Sequence, residues 1–203
     1  MTFTPRTVLS HLALATLVAW PLAAAALSPA EVVHATTDEV IQRLQQDNAR
    51  LAQEPDHIRT IVHELIIPHM DFHTMAELVL GRDFSLLSPR IVECFSTGFR
   101  NQLVERYSHI LLSYRNQDIA YSPAQSIGEK GYMSVTQTLT REGRMPLTIG
   151  YPMRPEGDDW KVIDLVVDDI SLVRSYRMTY EKEIDTLGLA GFIYSFPECS
   201  TTD

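Results

Sequence analysis

Lysine is scarce: three in 203 residues, and the 17 lysines and arginines together face 26 carboxylates for a formal net charge of −9. So small a basic complement leaves no electrostatic footprint for nucleic acid. It also sets the chain against anionic membrane surfaces, so dealings with a bilayer call for a docking protein. The short signatures of catalysis are missing as well. There is no G-x-S-x-G elbow, no phosphate-binding P-loop, no G-x-G-x-x-G and no C-x-x-C. Internal repeats and low-complexity linkers are absent too, so no second domain is indicated.

Metal-binding spacing is thin. "HELIIPH" has Ile67 where a zinc-protease helix needs its second histidine on the same face as His63. His69 and His73 stand four apart, but no third ligand is in view, so no metal and no cofactor are expected. Only two cysteines occur, Cys94 and Cys199. They could bridge and tie the C-terminal tail to a helix. Nothing in the sequence brings their Cα atoms together, so the reading favours a buried helix cysteine and a separate tail cysteine.

The first 26 residues carry one cation, Arg6, and no acid, then an apolar stretch from Val8 to Trp20, Pro21 and a run of alanines. This is the layout of a secretory signal peptide cleaved near Ala26, with residues 27–203 as a single domain. Export would place that domain in a compartment that permits disulfides.

The domain itself divides into a helical half and a mixed half. Ser28, Pro29 and Glu31 form a helix start, and helical spacing continues through Val33, Val40 and Leu44 to Gln53. A second helix begins at Pro55 and stops at Pro68, a third ends at Gly81, and a long fourth opens on Ser88-Pro89. From about Tyr132 the period changes to two. "GYMSVTQTLTR", "MPLTIGYPM" and "WKVIDLVV" read as three strands of a meander, with "DIAYS" as a weaker strand before them. A helix from Asp169 closes the domain at Gly188, with Leu172, Val173, Tyr176, Tyr180, Ile184 and Leu187 turned inward. Helices, then meander, then helix predict an α+β fold, a helical layer packed on one face of a twisted antiparallel sheet.

The chemistry on offer is apolar surface. The helices bring Met70, Phe72, Met75, Phe95, Phe99, Leu103, Tyr107 and Leu172. The strands bring Val135, Leu147, Ile149, Tyr151, Ile163, Leu165 and Val167. One polar residue interrupts the last strand. Asp164, between Val162 and Val166 on the face opposite Ile163, would act as a general base if burial raised its pKa. Asp168 and Asp169 read as a strand end and a helix N-cap.

Three stretches resemble one family, the MlaC/toluene-tolerance proteins. "PDHIRTIVHELIIPHMDFHTMAELVLGRDF" is similar to a segment in which a proline-ended helix leads to a short helix closing on Leu80-Gly81 and an aromatic, Phe84. "FSTGFRNQLVERYSHILLSY" is similar to the family's central helix. "WKVIDLVVDDISLVRSYRMTYEKEIDTLGLAGFI" is similar to its Trp–Asp strand, Ser-Leu-Val turn and following helix. The two cysteines and the missing basic tail depart from that pattern. The resemblance implies a fold enclosing an apolar cavity, for which the fifteen apolar residues of helices and strands are the candidate lining. It implies no catalysis, phospholipid as cargo, and a monomer in the periplasm. Its partners would be an inner-membrane ABC transporter complex with a ring-forming substrate-binding subunit and an outer-membrane lipoprotein–porin complex. The alternative is an NTF2-like enzyme using Asp164 on a small apolar substrate.

Overall fold

Residues 27–200, apart from Arg115, Glu129, Arg141 and Arg144, are described by a computed structural model of the chain. The expected signal peptide lies outside the described residues. The first helix starts on a reciprocal cap. Ser28 Oγ accepts from the Glu31 N–H at 3.3 Å, and the Glu31 carboxylate accepts from the Ser28 N–H at 2.7 Å. Helix α1 (Pro29–Gln46) then runs to Asp47, where the single helix expected to Gln53 breaks in two. The Asp47 carboxylate lies 2.8 Å from His57 Nε2 and accepts from Arg43 Nε at 3.0 Å, which holds this junction to the next segment. Helices α2 (Asn48–Gln53) and α3 (Ile58–Leu65) come next, the latter between two 3₁₀ turns.

Helix α4 (Phe72–Leu80) is capped by Asp71 and ends at Gly81, whose φ of 57° suits only glycine comfortably. Ser88 Oγ caps α5 (Pro89–Tyr107), which a 3₁₀ run extends from Ser108 to Ser113. The strands are β1 (Ile119–Tyr121), β2 (Gln125–Ile127), β3 (Tyr132–Leu139), β4 (Leu147–Glu156), β5 (Asp159–Val162), β6 (Val166–Val167) and β7 (Ile170–Ser171). All pair antiparallel in one sheet with the path β1-β3-β4-β6-β7; β2 also flanks β3 and β5 flanks β4.

The strand expected from Trp160 to Val167 is interrupted. Val162 pairs with Met153, but Val167 pairs with Ile149, so the register slips by one residue across 163–165. That is a β-bulge, and it breaks the even alternation the sequence suggested. Ile163, Leu165 and Val167 do not form one regular face: Val162 and Val167 both pair with helix-facing residues of β4, Leu165 packs against the cluster under α1, and Val167 is 40% exposed. Asp168 and Asp169, expected to end a strand and cap a helix, instead form the two-residue turn between β6 and β7 with φ of 46° and 66°. The cap of the next helix is Ser171, whose Oγ accepts from the Arg174 N–H at 3.0 Å.

Helix α6 (Leu172–Tyr194) does not stop at Gly188. It kinks there and continues, and α7 (Pro197–Ser200) comes after it. Leu187, expected inward, is 55% exposed just before the kink. Beyond it Phe192, Ile193 and Phe196 turn into the core, so the apolar tail is helical and packed. The two cysteines correct the sequence reading as well. Cys94 and Cys199 are disulfide-bonded with Cα atoms 5.2 Å apart, fastening α7 onto α5. Gly98 makes that approach possible, since a Cβ there would meet Phe196 and Glu198 at 2.8 Å.

Among the described residues, three apolar clusters result. The largest is helical, built from α4, α5, α6 and α7 around Phe95, Phe99, Tyr180, Phe192 and Phe196. Most of its rings meet edge-on or tilted, as in Tyr180–Phe192 at 4.8 Å and Phe95–Phe196 at 5.0 Å between centroids, while Phe95 and Phe99 lie parallel at 6.1 Å. A second joins α1 to the sheet through Val32, Val33, Val135, Met153 and Val162. The third gathers Leu51, Ile58 and Ile61 with Leu111 and Leu112.

Candidate functional site

Paired register fixes which strand residues look toward the helices. Val135 lies opposite Tyr151, Gln137 opposite Ile149, and Leu139 opposite Leu147; Ile119 and Tyr121 of β1 join the same face through Leu139 and Gln137. Along β3 this inner face has three parts. At one end Val135 is fully buried under Val32 and Val33 of α1. In the middle Gln137 is 4% exposed, a buried amide in an apolar wall. At the other end Ile119, Leu139, Leu147 and Ile149 are half-buried and, among the described residues, pack into none of the three clusters.

The middle part is satisfied by neutral groups. The Tyr151 hydroxyl donates to Gln137 Oε1 at 2.6 Å. Gln137 Nε2 donates to Thr37 Oγ1 at 3.3 Å and to the Tyr121 hydroxyl at 3.5 Å. Burial, and to a lesser extent Tyr121, pushes the Tyr151 phenol far above its ordinary value, so it stays protonated.

The fifteen candidate residues divide accordingly. Met75, Phe95, Phe99 and Leu103 sit inside the helical cluster, with Phe72, Tyr107 and Leu172 at its edge. Val135 belongs to the α1–sheet cluster, with Tyr151 and Leu165 packed against it; Met70 touches both clusters. Ile163 is buried at the bulge, while Leu147, Ile149 and Val167 lie toward the open end of the inner face.

Surface grooves among the described residues lie elsewhere, two of them sizeable. One of about 580 Å³ runs between α4 and α5, lined by Phe72, His73, Phe84, Leu87, Val92 and Arg100 among others. The other, about 670 Å³, lies between α1–α2 and the run after α5. Its floor is Leu44, Leu51, Leu111 and Leu112, and its rim includes Gln45, Asn48, Tyr114 and Asn116. Phe72 is the one sequence candidate that lines either groove. The leucines of the second groove carried a signal, their helical spacing, but nothing marked them as lining a groove.

Acidic groups near the interior are occupied by the chain itself. Asp164 Oδ1 accepts from the Leu165 and Val173 N–H groups at 2.8 and 2.9 Å, and Oδ2 accepts from Ser171 Oγ at 2.5 Å. The carboxylate thus fastens the bulge to the start of α6, a positioning task and not that of a free base. Asp71 caps α4 through Thr74 and pairs with Arg154. Burial opposes its charge, but the Thr74 and Arg154 hydrogen bonds outweigh that and hold its carboxyl below the ordinary range. Of the histidine pair, His73 packs edge-on against Phe84. No cluster of three potential metal ligands occurs among the described residues.

Comparison with known proteins places this architecture. The family model described as MlaC protein matches residues 34–196. The chain is 24% identical over 154 residues to the intermembrane phospholipid transport system binding protein MlaC of Haemophilus influenzae, covering 74% of this chain and 72% of that protein. It is 26% identical over 163 residues to the toluene tolerance protein ttg2D of Pseudomonas putida, covering 79% and 75% respectively. The fold is shared with a phospholipid-binding protein from Ralstonia solanacearum solved in complex with a phospholipid. That likeness has a TM-score of 0.75 at 22% identity and covers 86% of this chain and 98% of the other.

Proposed function

The chain belongs to the MlaC family, and on that premise we propose that it is a periplasmic phospholipid carrier. It would take lipid between an outer-membrane lipoprotein–porin complex and an inner-membrane ABC transporter complex with a ring-forming substrate-binding subunit, and so maintain outer-membrane lipid asymmetry. The observation that carries the reading is the open end of the inner sheet face. Ile119, Leu139, Leu147 and Ile149 form an apolar floor that the chain's own clusters leave half-covered. The family relatives named for phospholipid transport supply the cargo class. The disulfide fits an oxidising compartment, which supports export.

Energetics explain why such cargo needs a carrier. Two acyl chains of about 14 methylenes each, at ~0.8 kcal/mol per methylene, cost on the order of 20 kcal/mol to expose to water. That lies near the ceiling of non-covalent affinity, so free desorption is negligible and handover requires docking. An acidic surface that avoids anionic bilayers and meets proteins instead suits that route. The reading assigns the chains to the inner sheet face, where Ile119, Leu139, Leu147 and Ile149 are apolar and, among the described residues, pack into none of the three clusters.

Native mass spectrometry of the mature protein from an intact envelope, followed by lipid extraction, tests this. Co-purifying phospholipid is expected; none recovered would favour a filled-core adaptor. Ile149→Glu and Val135→Glu sharpen the test. The first should lower lipid occupancy more than folding yield. The second, at a fully packed position, should lower both together.

A further inference from the structure

Gln137 interrupts a wall built for alkyl groups. Its neighbours on the inner face are Val135 and Leu139 and its cross-strand partner is Ile149, yet its amide is almost wholly buried. A buried amide demands partners, and a proton count of those it has leaves a remainder. The Thr37 hydroxyl donates to the Val33 carbonyl at 2.8 Å, and the Tyr151 hydroxyl donates to Gln137. Gln137 spends both amide protons on Thr37 and Tyr121. The Tyr121 hydroxyl therefore accepts from the amide but has no acceptor for its own proton among the described residues. Its ring is steadied by His34, 4.2 Å away between centroids.

This spare O–H stands at the border of the apolar floor. Tyr121 pairs with Gln137 and Ile119 pairs with Leu139, so the next inner-facing positions are the half-covered Ile119, Leu139 and Leu147. Thr37, Tyr121, Gln137 and Tyr151 include no charged side chain, and His34 beside Tyr121 is paired with the Asp38 carboxylate, so these side chains offer no uncompensated cation to an anionic head group and suit an uncharged acceptor joined to alkyl chain. In a glycerolipid that is the acyl-ester carbonyl. Given the carrier reading, we infer that the Tyr121 hydroxyl, held in place by Gln137 as a positioning residue, donates to an ester carbonyl of the bound lipid. The chain would thereby select acyl-ester over alkyl-ether glycerolipids.

The test is a competition on delipidated mature protein between a diacyl phosphatidylcholine and the dialkyl-ether phosphatidylcholine of the same chain length, read by native mass spectrometry. Wild type should prefer the ester by roughly three- to ten-fold, the equivalent of one net neutral hydrogen bond. Tyr121→Phe, which removes one oxygen and keeps the ring, should bring that ratio to about one while leaving the ether lipid bound as before. Gln137→Met should lower the ratio as well, which a purely structural amide would not do. Equal binding of both lipids by wild type overturns the inference and leaves the carrier standing. An ester preference that survives Tyr121→Phe overturns it too. Binding of neither lipid overturns the carrier reading and the inference with it.

Discussion

Removing the Cys94–Cys199 bridge should cost this protein a large part of its stability. The two residues are 105 apart in sequence, so the bond closes a loop spanning more than half the chain. In the loop-entropy account, a loop near 100 residues restricts the unfolded chain by about 4.7 kcal/mol, the upper end of the usual 2–5 kcal/mol for a native bridge. The tail does not depend on the bond alone. Phe192 and Phe196 also pack against Phe95, so the reduced native state should keep these contacts and the loss should fall on the unfolded side. A loss of about 3 kcal/mol is a large share of the ~5–15 kcal/mol that holds a typical domain together. The assay is urea unfolding of wild type and the Cys94→Ala/Cys199→Ala double variant, each with and without reductant. The midpoint should fall, and the slope should rise because the freed chain exposes more surface when unfolded. Reductant should move wild type to the variant's curve and leave the variant alone. A difference below about 1 kcal/mol, or an unchanged slope with an unchanged midpoint, would refute the reasoning.

Other outcomes depend on single contacts. Gly98→Ala pushes a methyl into Phe196 and Glu198, and should destabilise by about 1–3 kcal/mol in urea unfolding, as overpacking does. Asp164→Ala leaves two N–H groups and the Ser171 hydroxyl without their acceptor. It should cost about 2–4 kcal/mol, yet the folded fraction should keep its lipid. Lost lipid at unchanged stability would point back to a chemical role for this carboxylate. The depressed pKa of Asp71 links stability to acid. Its contribution is complete above the unfolded value of about 3.9 and vanishes as pH falls through the lower folded pKa. Asp71→Asn should therefore be less stable than wild type at pH 7 in urea unfolding, the two converging as pH falls through that lower folded pKa.

Local rules were legible where local chemistry decides. The Ser28 box, the Ser88 cap, the Gly81 stop and the two-residue alternation of β3 and β4 all stand as the sequence reads them. Reading failed where a distant partner overrides the pattern. "WKVIDLVV" alternates like an unbroken strand, but Asp164 is drawn off to the start of α6 and the register slips around it. Gly188 resembles a helix end, but the residues beyond it have a core to enter. The disulfide depends on α7 crossing α5, which no spacing reveals. The candidate site shows the same divide. Periodicity identified the apolar face, but its division into packed, polar and open parts depends on where α1 lies. Gln137 and Tyr121, which no motif singled out, became visible through strand register, burial and hydrogen bonding.

If the half-covered inner face carries lipid, a charge placed on it should expel that lipid. Native mass spectrometry of mature wild type and Ile149→Glu, purified side by side from intact envelopes, tests it most directly. Phospholipid-sized adducts should appear on wild type and fall markedly on the variant, with comparable thermal unfolding of the two delipidated proteins. Bare protein in both samples, or full lipid occupancy in the variant, would contradict it.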